Sequence, residues 1–134
     1  MTKKMFLFLA LTAVLTLGSC QKDTNTPEKT AGDFIVAIYS GDFEGAKEMA
    51  MEDSKKAIDF VAAFTTEKVD MMKSTKVKFE TTEVTIAEDG LSATVIGNVL
   101  NSLDLETDQI VESKVEKINL VKVGEKWLVD YQIK

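Results

Sequence analysis

The sequence predicts an α+β fold in which amino-terminal helices pack on a bent, four-stranded antiparallel sheet. Apolar residues recur at helical spacing from Pro27 to about residue 72. From Lys76 onward the apolar residues follow a period of two, which is typical of strands. Glycine turns at Asp89-Gly90 and Gly124-Glu125 divide this second half. Helices followed by a run of consecutive strands indicate one α+β domain, predicted to span residues 27–134.

The helical half shows three segments. Thr26 and Pro27 suit the N-cap and first helical position, and Gly41 ends the first helix. Asp42 then caps a short second helix. The third segment starts near Ser54 and is expected to break around Thr65-Thr66. The predicted buried stripes are Ala31, Phe34, Ile35 and Ile38 in the first helix, Phe43, Ala46, Met49 and Ala50 in the second, and Ile58, Val61, Ala62, Thr65, Val69 and Met72 in the third.

The strand half predicts four strands. In the first strand, the apolar residues Val77 and Phe79 stand at odd-numbered positions, whereas Val84 and Ile86 stand at even-numbered positions. This change within one strand predicts a bulge near residues 82–83. The next strands are predicted at residues 91–101, 109–123 and 126–134, and a polar connection is predicted at residues 102–108. A two-residue turn at Gly124-Glu125 would set Leu120 opposite Val129 and Ile118 opposite Tyr131, with Trp127 and Ile133 on the same side.

The amino terminus has the layout of a secretory signal. Lys3 and Lys4 precede an apolar run at residues 5–17, and two small residues follow. Because spanning a bilayer takes about 20 residues, this run is too short for a comfortable transmembrane helix. Residues 1–19 are therefore predicted to be a signal peptide.

The four residues Leu17, Gly18, Ser19 and Cys20 resemble the lipobox of bacterial lipoproteins. The resemblance implies cleavage between Ser19 and Cys20, lipidation of the Cys20 thiol, and stable attachment to a membrane through two or more acyl chains. The alternative is an ordinary signal peptide with an incidental cysteine. Residues 20–26 would be the lipidated cysteine and a short tether.

The residues after the cysteine, Gln21, Lys22 and Asp23, resemble a surface-export signal of lipoproteins in one phylum of Gram-negative bacteria. The resemblance implies an outer-membrane lipoprotein displayed on the cell surface. A plain polar tether, with the domain on the periplasmic side, is the alternative.

Composition restricts the chemistry. With Cys20 lipidated, no thiol remains for a disulfide or a nucleophile. The processed chain would hold 14 lysines and 22 acidic residues, a net charge of −8, which disfavours nucleic acid. The sequence has no histidine and no arginine, so the usual neutral-pH acid/base and the commonest metal ligand are missing. We therefore expect no metal, no cofactor and no enzyme activity.

Two stretches carry a family resemblance: PEKTAGDFIVAIYSGDFEGAKEMA and KINLVKVGEKWLVDYQIK. They resemble small lipoproteins of the nuclear-transport-factor-two-like superfamily, which has the cystatin-like fold, of the kind known as domains of unknown function. The resemblance implies a cone-shaped cavity between the bent sheet and the long helix. Superfamily members use this cavity to bind small molecules, to catalyse reactions, or merely to associate, so the fold alone selects none of these.

Four groups of side chains are candidates for chemistry or binding. Glu112, Lys114 and Glu116 share one side of a strand and could line the cavity, although such a run is more often solvated. Tyr39 and Tyr131 could act if burial shifted their pKa values. The spacing of Asp104, Glu106 and Asp108 resembles a calcium loop, but Gln109 and Val115 stand where an EF-hand needs glycine and glutamate. Trp127 and Tyr131 could stack on a sugar, but packing in the core is favoured.

We therefore expect a binding module for a small ligand, a glycan or a protein. One alternative is an interaction module that self-associates, for instance as a homodimer. The other is a small enzyme with carboxylate, lysine or tyrosine groups converging in the cavity. A cavity lined only by aliphatic side chains would end the enzyme alternative.

Overall fold

The computed structural model describes residues 25–132. The predicted signal peptide, the lipobox Leu17, Gly18, Ser19 and Cys20, and the export signal Gln21, Lys22 and Asp23 lie outside the described residues. Within residues 25–132, no helix is both long and apolar enough to cross a bilayer.

The first two helices begin at the predicted caps. Helix α1 spans Pro27–Tyr39, and the Thr26 hydroxyl accepts the Lys29 backbone N–H at 3.2 Å. Helix α2 spans Phe43–Glu48, and the Asp42 carboxylate accepts the Gly45 N–H at 3.1 Å. Gly41 turns the chain between them with φ 82°, a conformation that favours glycine.

The third segment breaks where the sequence predicts. Helix α3 spans Lys55–Phe64 and helix α4 spans Val69–Ser74, with 3₁₀ turns at Glu52–Ser54 and Thr66–Lys68. Between α3 and α4, Thr65 is buried and its hydroxyl donates to the Val61 carbonyl at 2.8 Å. All six residues of the predicted stripe are buried or packed against the core.

The sheet has four antiparallel strands in the order β1-β2-β3-β4. Their bounds are β1 Lys78–Ile86, β2 Ser92–Leu103, β3 Ile110–Val123 and β4 Lys126–Asp130. The predicted bulge is confirmed by a register shift between Thr81 and Glu83. The predicted pairing of Leu120 with Val129 is also confirmed.

Two strands end two or more residues from the predicted position. Strand β2 continues through Ser102 and Leu103, which pair with Val111 and Ile110 and are buried, although a polar connection was expected there. Strand β4 ends at Asp130, so the register does not include the expected pair of Ile118 and Tyr131. The Tyr131 N–H donates instead to the Ser54 hydroxyl at 2.8 Å, which connects this end of the chain to the helical layer.

The core lies between α1 and the inner face of the sheet. Phe34, Val95, Val99, Leu120 and Val129 are at most 1% exposed. At the amino-terminal end of α1, the Asn25 side chain accepts the Trp127 N–H at 2.6 Å, so the last residues of the predicted tether already contact β4. The helix is thereby held across the sheet, and its carboxyl end lies over β3.

Candidate functional site

Two adjoining hollows lie at the carboxyl end of α1. The first hollow, about 250 Å³, lies between α1, β3 and the end of β4. The second hollow, about 420 Å³, lies between α1, α3, α4 and the loop after β2. Ile38, Tyr39 and Tyr131 line both hollows, so these three side chains form the boundary between them.

The two hollows differ in how polar their walls are. The first is lined by apolar residues that include Phe34, Ile118 and Val129, and by the polar residues Glu116, Lys117, Asn119, Asp130 and Gln132. The second is lined by apolar residues that include Leu103, Leu105, Val111, Val61 and Met72, and by Thr65, Asp104, Glu106 and Lys114. Mostly apolar walls with a few polar groups are typical of sites for small molecules, and the second hollow fits this description better than the first. A larger surface depression beside α2 and α3 is lined only by charged residues, and we do not regard it as a candidate site.

Tyr39 and Glu116 form the polar centre of the site. The Tyr39 hydroxyl, at the last residue of α1, donates a hydrogen bond to the Glu116 carboxylate on the inner face of β3. Burial raises the pKa of Tyr39, and the hydrogen bond and negative charge of Glu116 raise it further. Tyr39 is therefore a neutral hydrogen-bond donor at physiological pH.

Tyr131 is the second tyrosine of the site. Its ring centroid lies 5.2 Å from that of Phe34, with 58° between the ring planes, which is a favourable aromatic arrangement. Burial raises the pKa of Tyr131, and the charge of Glu116 adds to the effect. Within the described residues the Tyr131 hydroxyl has no hydrogen-bond partner, so it is available to a ligand.

Lys114 supplies the positive charge. Its ammonium lies 4.6 Å from the centroid of the Tyr39 ring and 3.8 Å from a Glu116 oxygen. The side chains of Lys114 and Glu116 are 43% and 31% exposed, so solvent screens this ion pair and it contributes little to stability. Both groups remain accessible to a ligand that enters the hollows.

Of the three charged residues predicted to share one side of β3, two lie at the site and one does not. Lys114 and Glu116 reach the site, whereas Glu112 is exposed and lines neither hollow. Trp127 is buried at 6% exposure, in keeping with packing, while Tyr131 is half-buried at the boundary of the hollows.

The acidic loop uses its carboxylates locally. Asp104 accepts the N–H groups of Glu106 and Thr107 at 2.8 and 3.3 Å. Asp108 forms an ion pair with Lys68 at 2.5 Å. Across residues 25–132, no three acidic, cysteine or histidine side chains are grouped as a metal site would need.

The sequence did not indicate the wall of the second hollow. Leu103, Leu105 and Val111 lie in or beside the segment expected to be a polar connection. The alternation of Leu103 and Leu105 was the available signal, but the acidic residues between and after them concealed it.

Comparisons with known proteins address the fold. No protein-family model matches the chain, and no curated protein matches it significantly. The crystal structure of a Campylobacter jejuni protein named "Putative NTF2-like transpeptidase" superposes with a TM-score of 0.54 and 25% identity, covering 80% of this chain and 99% of that one. The fold is NTF2-like.

Two more distant structures agree in fold alone. A Mycobacterium tuberculosis protein of unknown function superposes with a TM-score of 0.51 at 17% identity, covering 78% of this chain and 65% of that one. A SEC-C motif containing protein from Rhodopseudomonas palustris gives 0.50 at 13% identity, covering 85% and 84%. In this NTF2-like fold the two hollows lie at the carboxyl end of α1, where the helix meets β3.

Proposed function

We propose that this protein is a lipid-anchored lipoprotein of a Gram-negative outer membrane, and that it binds a small ligand in the hollows beneath α1. The observation that supports binding is the cluster of Tyr39, Glu116 and Tyr131 between two partly apolar hollows. The lipobox resemblance at Cys20 supports anchoring. Glycans and short protein segments are the alternative ligands.

The chemistry of the hollows favours an uncharged or zwitterionic ligand with an apolar part. The linings contain four carboxylates, Glu116, Asp130, Asp104 and Glu106, and two ammonium groups, Lys114 and Lys117. The neutral Tyr131 hydroxyl, which has no hydrogen-bond partner among residues 25–132, lies at the boundary of the hollows. Apolar walls would bury the rest of such a ligand, while these groups would determine its orientation. Either hollow can hold a compound of the size of an amino acid or a monosaccharide.

A thermal-shift screen of amino acids, monosaccharides and small amphiphiles tests the binding proposal. A ligand that binds the folded state alone raises the melting temperature, and the increase grows with ligand concentration. Glu116→Gln should reduce the shift. Glu112→Gln is the matched control, because Glu112 lies on the same strand but lines neither hollow. A shift that Glu116→Gln leaves intact would contradict the proposed site.

Enzyme activity remains the second candidate function. The hollows contain tyrosine, carboxylate and lysine groups, so the condition that would have ended this alternative is not met. The raised pKa values of both tyrosines, however, favour hydrogen-bond donation over action as a base. The Campylobacter protein is named a transpeptidase, which suggests transpeptidation as a candidate reaction. This chain, however, has no histidine to activate a nucleophile.

The anchoring proposal has a separate test. Cys20→Ala should release the protein from membranes into the soluble envelope fraction, and unchanged membrane retention would contradict anchoring. Protease added to intact cells then distinguishes surface display, in which the domain is digested, from a periplasmic location, in which it is protected.

A further inference from the structure

One edge of the sheet is only half covered. Strand β3 has 14 residues, whereas β4 beside it has five. The last pair of the β3–β4 ladder is Asn119 with Asp130. From Ile118 back to Ile110, β3 therefore has β2 on one side and, in the part of the chain that the structure describes, no strand on the other.

The register shows which backbone groups face this free edge. The Lys122 N–H donates to the Leu91 carbonyl at 2.9 Å, so even-numbered residues of β3 bond to β2. In an antiparallel ladder the alternate residues point the other way. Ser113, Val115 and Lys117 therefore direct their N–H and C=O groups to the free edge. Val115 is 70% exposed, and an exposed edge of this kind readily pairs with another strand.

We propose that the free edge binds a second copy of this chain, antiparallel, about a two-fold axis at Val115. In this register Val115 hydrogen-bonds with its counterpart, and Ser113 hydrogen-bonds with Lys117 of the partner subunit. Lys114 then stands opposite Glu116 of the partner subunit, and the symmetry forms this pair twice. Opposite charges directly across an antiparallel ladder are favourable.

Charge repulsion and the length of the free edge both favour an axis at Val115 over the neighbouring register. An axis at Lys114 would set Lys114 against its own counterpart and Glu112 against Glu116, and like charges in these positions repel. Asp130, which pairs with Asn119, limits the new ladder to about the five residues 113–117. An axis at Val115 uses those five residues, all of them in regular pairing with β2.

Disulfide trapping tests the register directly. In the full chain carrying Cys20→Ala, Val115→Cys supplies the only thiol. At a hydrogen-bonded antiparallel pair the two Cα atoms would lie about 5.5 Å apart, within the usual range for a disulfide. Mild oxidation should give a covalent dimer of Val115→Cys and leave Ser113→Cys monomeric. A mixture of Ser113→Cys and Lys117→Cys should form the mixed dimer.

Two outcomes would overturn the proposal. If neither Val115→Cys nor the mixture forms a covalent dimer, the edge does not bind a second copy. If Ser113→Cys forms a dimer as readily as Val115→Cys, the contact lacks the proposed register.

Charge exchange provides an independent test by sedimentation equilibrium of the Cys20→Ala chain. Lys114→Glu or Glu116→Lys should weaken dimerisation about tenfold or more, because two attractive pairs become repulsive. The double variant with both changes restores opposite charges and should recover most of the loss. The proposed strand pairing would be contradicted if the single variants dimerised as strongly as the Cys20→Ala chain. It would also be contradicted if the double variant failed to recover dimerisation.

Val115→Pro tests the backbone hydrogen bonds. The substitution removes an N–H that faces the free edge and leaves the hydrogen bonds to β2 in place. Proline is tolerated on an edge strand when its missing N–H faces away from the neighbouring strand. We expect a folded monomer, with circular dichroism as the check on folding. A folded Val115→Pro dimer would contradict the proposal.

Discussion

Tyr39 and Glu116 are 77 residues apart in the sequence, and the hydroxyl of the first donates to the carboxylate of the second. The contact joins the carboxyl end of α1 to the middle of β3, at the boundary of two hollows. After burial, it is the next largest cause of the raised pKa of Tyr39, and Glu116 lines the first hollow.

Both tyrosines should ionise at higher pH than free tyrosine. The chain has only two tyrosines, and burial and Glu116 raise the pKa of both. In the folded protein, tyrosinate absorbance near 295 nm should therefore stay low at pH 10, where free tyrosine is half ionised. A rise of the full two-tyrosine amplitude centred at pH 10 in folded protein would contradict the buried cluster.

The same shifts determine how stability depends on pH. A tyrosine whose pKa is higher in the folded state binds its proton more tightly there than in the unfolded chain. Its stabilising contribution is complete below about pH 10 and is lost as pH rises above that value. Urea unfolding should show a falling free energy of unfolding between about pH 10 and pH 11, and Tyr39→Phe should show a smaller fall than the unsubstituted chain.

Removing the charge of Glu116 should affect Tyr131 without a direct contact. The negative charge is the second cause of the raised Tyr131 pKa, after burial. In Glu116→Gln, Tyr131 should therefore ionise at lower pH than in the unsubstituted chain. Glu112→Gln should leave the titration unchanged, and equal effects of the two variants would argue against the proximity of Glu116 to Tyr131.

The sequence predicted much of the fold because short-range rules govern the elements involved. The caps at Thr26 and Asp42 and the break at Thr65 each depend on residues within four positions. The meeting of Tyr39 with Glu116 is different, since it depends on how α1 crosses the sheet. The tilt of a helix on a sheet results from the packing of many side chains, and one sequence carries no local signal for it.

At the end of β2 the sequence does carry a local signal, but that signal predicts the wrong structure. Polar residues follow Ser102 and Leu103, so the local pattern predicts a loop. In the structure both residues pair with β3 and are buried. The tertiary ladder therefore overrides local propensity at this position.

A pair of phenylalanines tests the position of the core. Phe34 is fully buried beneath the first hollow, whereas Phe64 is 78% exposed. Phe34→Ala should lower the free energy of unfolding by about 3–5 kcal/mol, because it removes contacts and leaves a cavity. Phe64→Ala should change it by less than about 0.5 kcal/mol. Similar values for the two variants in urea unfolding would contradict the assigned core.

Gly97 tests the close packing of β1 on β2. A Cβ atom at Gly97 would lie 2.4 Å from the Glu80 carbonyl oxygen and 2.5 Å from the Phe79 ring. Gly97→Ala should therefore destabilise the fold by about 1–3 kcal/mol. Gly32→Ala is the matched control, because its Cβ would contact the Phe79 ring at an ordinary 3.6 Å and alanine favours the helix. A Gly97→Ala protein as stable as Gly32→Ala would exclude this packing.

The central proposal is that a ligand binds between α1 and β3, and the NMR spectrum of the protein during titration with a stabilising compound tests it most directly. The aromatic signals of Phe34, Tyr39 and Tyr131 should shift on binding, and Glu116→Gln should weaken the affinity while Glu112→Gln does not. Shifts confined to the charged depression beside α2 and α3, or affinity that Glu116→Gln leaves unchanged, would contradict it.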